Sequence, residues 1–211
     1  MERETKHWLL LLIGWLAWFG VIAQFGVSIN KALVEGGAVS EVFVRLLSYF
    51  TILTNLFVAI VATVCGFSPN SKLGQSLAKP QVFGCSVTAI VLVGIGFHVL
   101  LRDLYAPAGF AGFINYVIHY YVPSAMLIYW LVFPPTRRMS PWLPVAWNVY
   151  FLSYVAYIAI RGELIGKYPY PFIDVVEIGY ASAVLASTVL AGAFVVLGYL
   201  VFLVARFRIK L

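Results

Sequence analysis

Glu41-Val-Phe-Val-Arg-Leu-Leu-Ser-Tyr-Phe-Thr-Ile-Leu-Thr-Asn-Leu-Phe-Val-Ala-Ile-Val-Ala-Thr-Val-Cys-Gly-Phe67 carries charge only at Glu41 and Arg45, both near its start. About 20 apolar residues suffice for a helix to cross the hydrocarbon of a bilayer, so this stretch reads as one membrane span. Five further stretches pass the same test: 8–29, 82–104, 110–133, 142–160 and 178–205. The joints between them hold turn formers and charge, as in Ser68-Pro-Asn-Ser-Lys72, Ala106-Pro-Ala-Gly109 and Pro134-Pro-Thr-Arg-Arg138. The expected fold is an all-α membrane protein, a single domain over 1–211 with six transmembrane helices.

Composition agrees. The 211-residue chain is 63% hydrophobic and only 10% charged, with a mean hydropathy of +0.95, which leaves too little polar surface to coat a soluble globule. Its net charge of +6 comes from basic residues in short loops beside apolar runs, with no aromatic-interleaved patch of the kind that grips nucleic acid. With the N-terminus inside, nine of the 14 basic residues fall on the inner side: Arg3, Lys6, Lys72, Lys79, Arg137, Arg138, Arg206, Arg208 and Lys210. The positive-inside rule therefore puts both termini in the cytoplasm, and in a prokaryote the chain in the cell membrane. The N-terminal apolar run is too long for a signal-peptide core and lacks a small-x-small cleavage site, so it reads as the first span. Cys65 and Cys85 fall near inner span ends, where thiols stay reduced, so neither a disulfide nor a metal site is expected.

Polar residues inside the spans carry the functional information. At about 1.5 Å of rise per residue, Thr51 lies roughly 15 Å below Glu41 and His119 lies 13 to 14 Å below Phe110, so the two side chains can share a layer near the midplane. Asn55 follows Thr51 by one turn, and Asn115 precedes His119 by one turn, with Tyr120 beside it. His98 has Arg102 one turn further out. Ionisable groups at such depth face a cavity or a partner, although a membrane threonine commonly bonds only a backbone carbonyl or a neighbouring helix. Arg45 and Arg102, near a span end, have a second reading as side chains snorkelling to headgroups.

A hydroxyl attacks an ester once a base removes its proton, and neutral imidazole suits that task near pH 7. Thr51 and His119 can form such a pair, with Asn115, Asn55 or a tyrosine hydroxyl such as that of Tyr120 as oxyanion donors. The substrate reaching them would be a lipid, and Arg45, Arg102 or Arg161 could hold a carboxylate on it. No cofactor is expected. No G-x-S-x-G elbow, H-E-x-x-H or phosphate-binding glycine loop is present, and the three histidines and scattered acids form no metal-ligand set. Two other readings stay open: a small-molecule or ion transporter with a His/Asn-lined pathway, and haem held between His98 and His119.

Three stretches, Ser48-Tyr-Phe-Thr-Ile-Leu-Thr-Asn55, Ile114-Asn-Tyr-Val-Ile-His-Tyr-Tyr-Val-Pro123 and Tyr168-Pro-Tyr-Pro-Phe-Ile-Asp174, resemble the androgen-induced and androgen-dependent TFPI-regulating protein family and its bacterial relatives. That resemblance implies a multi-pass threonine hydrolase of fatty acid esters of hydroxy fatty acids, with Thr51 as nucleophile, His119 as its histidine, and the segment holding Tyr170 as a cap over the substrate site. Where animal members carry a second histidine just after the asparagine this chain has Tyr116. Where they carry Asp or Asn three residues after the threonine it has Thr54, a rival nucleophile.

Overall fold

The computed structural model describes residues 2–135 and 139–208; Arg137, Arg138 and Lys210, which enter the count of inner basic residues, lie outside them. The described residues are helical, with no strand among them. In chain order the helices are α1 (Glu2–Val34), α2 (Val39–Leu46), α3 (Phe50–Phe67), α4 (Lys72–Leu77), α5 (Pro80–Gly96), α6 (Gly109–Tyr116), α7 (Val122–Val132), α8 (Leu143–Ile165) and α9 (Val175–Arg208). A π-helical turn, Phe97–Leu101, extends α5, and a second, Val117–Tyr121, joins α6 to α7.

Among the described residues five helices are long and apolar enough to cross a membrane: Glu4–Val34, Phe50–Phe67, Pro80–Leu101, Leu143–Ile165 and Val175–Phe207. That is the make-up of an integral, multi-pass membrane protein. The expected fourth span, 110–133, is one helical run but is not among the five; Asn115, His119, Pro123 and four tyrosines dilute its hydropathy. It is nonetheless part of the bundle core, where Val117, Val122 and Met126 are fully buried.

The expected span 41–67 is not a single helix. It breaks at 47–49 into the short α2 and the membrane-length α3. Ser48 Oγ donates to the Val44 carbonyl at 2.5 Å, the local competition by which serine undermines a helix. Tyr49 is extended (φ −83°, ψ 128°). Groups freed by the break find partners within the protein: Ser48 and Tyr49 N–H donate to the carbonyls of Arg45 and Leu46, and the Tyr49 carbonyl accepts from Ile52 and Leu53 N–H. The Ser48 carbonyl accepts from the Tyr154 hydroxyl at 2.9 Å. The last helix is also interrupted, at Gly179, whose φ of 76° and ψ of 158° suit only glycine.

Packing follows the small residues. Against α1, α3 presents Ala59, Ala62 and Gly66, and α1 answers with Ala17 and Gly14, so the two backbones approach closely, as in membrane helix pairs with small residues at the seam. The Trp18 indole N–H donates to Thr63 Oγ1 across this seam at 3.2 Å. The central helix is α5, which packs on α3, α7, α8 and α9 and is buried continuously over residues 83–90. Gly84 is the notch that admits Trp147 of α8; a Cβ there would overlap the indole. Gly84→Ala should therefore destabilise the bundle by about 1 to 3 kcal/mol, the usual cost of overpacking, seen as a lowered melting temperature in detergent, whereas Gly192→Ala, with open space around it, should leave it unchanged.

Candidate active site

The break at 47–49 makes Thr51 the second residue of α3, so its backbone N–H is among those a helix leaves unsatisfied at its start. That N–H donates to the Tyr170 hydroxyl at 3.5 Å. The depth estimate from Glu41 is thereby corrected: α2 and the turn intervene, and Thr51 reaches its position as the start of a new helix.

Thr51 and His119 meet. Thr51 Oγ1 lies 3.3 Å from His119 Nε2, and His119 Nδ1 lies 3.0 Å from the Asn115 carbonyl oxygen. A carbonyl only accepts, so in the neutral ring Nδ1 carries the proton and Nε2 presents its lone pair to the threonine hydroxyl. The ring plane is fixed as well. Phe97, the first residue of its π turn, stacks on the imidazole with centroids 3.8 Å apart and planes 18° apart. Close approach of the two segments is possible because Gly94 faces the His119 carbonyl and Pro123; a Cβ there would stand 3.1 Å from both. Thr51 and His119 are 8% and 7% exposed, so the pair is sheltered from bulk solvent.

Asn55 ties this arrangement together. Its Nδ2 donates to the Thr51 carbonyl at 2.8 Å and to the Ile118 carbonyl at 3.1 Å, locking the first turn of α3 to the π turn that carries His119. With both amide hydrogens used, Asn55 is a positioning residue, and the expectation that it donates to an oxyanion is corrected. Asn115 acts through its backbone carbonyl; its side-chain Oδ1 is buried without a partner. Thr54 is fully buried and pairs with the Tyr150 hydroxyl at 3.2 Å, with no imidazole beside it.

The other candidates divide into separate groups. Tyr120 turns away from Thr51: its hydroxyl lies 3.2 Å from His98 Nδ1. The exposed His98 also receives Arg102 at 3.3 Å, and Arg102 is ion-paired to Asp103 at 3.1 Å. Both nitrogens of His98 and both of His119 make contacts within the protein. Arg45 is exposed on α2 and Arg161 donates to the Lys167 carbonyl at 2.9 Å. Neither Arg45, Arg161 nor His98 lines the cavity that Thr51 lines.

That cavity, of about 460 Å³, lies between α5 with its π turn, α8, α9 and the 166–174 segment. Its wall is almost wholly apolar, including Phe97, Phe151, Ile158 and Ala191, and Thr51 is the polar residue at its α3 side. Tyr170 closes the same side: its ring packs edge-on against Tyr49 and stacks on Phe172. Glu163 lines the cavity too and accepts from the hydroxyls of Tyr168 at 3.1 Å and Tyr180 at 2.7 Å. This ties the 166–174 segment to α8 and α9. Burial, and then the Glu163 carboxylate beside it, push the Tyr168 phenol up to about 12, so it stays protonated and donates at neutral pH. Phe97, Glu163 and Tyr154 were not anticipated; an aromatic or an acid near a span end has too many ordinary explanations to stand out in sequence.

Comparison with known protein families, with curated proteins and with solved structures returned no match.

Proposed function

We propose that the protein is an intramembrane lipid ester hydrolase in which Thr51 is the nucleophile and His119 the base. The observation that carries this reading is the contact of Thr51 Oγ1 with a His119 Nε2 whose tautomer is set by the Asn115 carbonyl, with Thr51 lining an apolar cavity large enough for a lipid chain and His119 standing behind it. The resemblance of three stretches to threonine hydrolases of fatty acid esters of hydroxy fatty acids supports the same chemistry and suggests that substrate class.

Thr51 Oγ attacks the ester carbonyl carbon as its proton passes to His119 Nε2. The resulting imidazolium keeps its Nδ1–H on the Asn115 carbonyl. The tetrahedral oxyanion is met by the Thr51 backbone N–H and the Tyr170 hydroxyl, which already lie together at the start of α3. As the intermediate collapses, the alcohol leaves with the proton from His119. Water, deprotonated by the same nitrogen, then cleaves the threonyl ester to release the acid and restore Thr51.

Thr51→Ala and His119→Ala should each lower turnover of a long-chain fatty acyl ester of a hydroxy fatty acid in detergent by about 10³-fold or more, with melting temperatures close to the parent; full activity in either variant would overturn the assignment. Thr54→Val should keep activity. Labelling by a long-chain fluorophosphonate should vanish in Thr51→Ala and persist in Thr54→Val.

Tyr170→Phe should reduce kcat by roughly 10- to 100-fold with little change in KM, the pattern of an oxyanion donor.

For topology we propose six spans, with 109–132 as the one beyond the five, both termini in the cytoplasm, and a cell-membrane location in a prokaryote. The reading rests on the distribution of Lys and Arg. In a bacterial host a C-terminal green fluorescent fusion should fluoresce, and alkaline phosphatase fused after Gly166 should be active.

A further inference from the structure

Arg161, which does not line the Thr51 cavity, belongs to a different feature. A second hollow, of about 470 Å³, lies between α2 and the C-terminal half of α8. It uses another face of α8: Tyr157, Ile160, Arg161 and Leu164 line it, opposite Val44 of α2 and Leu47 of the turn after it, whereas Phe151, Val155 and Ile158 line the Thr51 cavity. Its wall is apolar apart from one guanidinium.

That guanidinium is incompletely satisfied. Arg161 uses one terminal nitrogen on the Lys167 carbonyl, and its Nε is buried with no partner. A buried, unpartnered donor on a cation costs free energy that an anionic oxygen would recover. Among the described residues no carboxylate pairs with Arg161 or with Arg45. The nearby Glu163 is engaged by Tyr168 and Tyr180. Tyr49, at the junction of α2 and α3, is within electrostatic reach of both Arg45 and Arg161; Arg45 itself is exposed on α2 beside Val44 and does not line the hollow. Arg161 reaches past the end of α8 to the Lys167 carbonyl, as a snorkelling arginine does, yet its Nε is left buried without a partner beside the apolar wall.

We propose that this α2–α8 groove is a binding site for one anionic phospholipid, its phosphate held by Arg161 with Arg45 as second cation, and one acyl chain lying along Val44, Leu47 and Ile160. Among the described residues the groove's only charged lining residue is a cation on an otherwise apolar wall, so a bilayer lipid with a phosphate monoanion complements it in charge and in apolar character. This site is distinct from the Thr51 cavity and does not depend on the hydrolase reading.

Native mass spectrometry of the full chain in detergent, with equal phosphatidylglycerol and phosphatidylcholine added, tests it. One phosphatidylglycerol should be retained per chain in preference to phosphatidylcholine. Arg161→Gln should weaken that retention by roughly tenfold, the scale of one charge-assisted hydrogen bond, and Arg45→Gln by less. Arg102→Gln, on a cation already paired with Asp103, should have no effect. Leu164→Trp fills the groove from an exposed position while leaving both arginines in the sequence, so it should displace the lipid even if Arg161→Gln proves unstable. Equal retention of the two lipids by the parent protein, undiminished retention in Leu164→Trp, or complete displacement by millimolar inorganic phosphate, which would indicate a site for the free anion, would each overturn the proposal.

Discussion

Within a bilayer a backbone group that leaves a helix has no water to turn to, so it must find a partner inside the protein. The turn at 47–49 is where that constraint shapes this molecule. Its N–H groups fold back onto the end of α2, its last carbonyl is taken by the start of α3, and the Ser48 carbonyl is bound by Tyr154 from α8. One phenol thus joins two helices distant in sequence and makes the break stable. Because the break exists, α3 begins inside the bundle, and Thr51 stands at a helix start, where its N–H is free to point at a neighbour.

The histidine side of the pair is shaped by a related departure from regular helix. A π turn adds a residue to a helical turn and is frequent at functional sites. Here two of them face each other across α5 and the 109–132 run, one supplying Phe97 and the other His119. Asn55 bridges from α3 to the second turn through two carbonyls. The geometry of the Thr51–His119 contact is therefore over-determined by a stacked ring, a carbonyl below the imidazole and an amide that links the two backbones.

Most of the framework was legible in the residues. Apolar runs located the helices to within a few positions, and the presence of Thr51 and His119 within such runs marked them as the pair to follow. The break was not legible, because 41–67 is predominantly apolar and Ser48 is one of several residues in it, with Thr51, Thr54, Asn55 and Thr63, whose side chains can compete for the backbone. The assumption of a continuous helix carried the depth estimate with it. The direction of side chains was equally hidden: Tyr120 follows His119 directly yet faces His98, and Arg161 lies three residues from Ile158 yet lines another hollow. Which face of a helix looks inward depends on its neighbours, and a single span's periodicity is weak when every face is apolar.

The paired π turns also set where this chain can change length. Each is an α-helix carrying one surplus residue, so a single deletion within 97–101 or 117–121 would let the segment relax to ordinary α-helix and rotate everything beyond it by about 100°. A deletion in the first would swing the following residues out of register with Phe97 and α9. In the second it would part His119 from Pro123 and the buried stripe of α7. Insertions and deletions among descendants of this sequence should thus collect in the connections, such as 35–38 and 104–108, while these two short stretches keep their residue count even as the side chains within them drift.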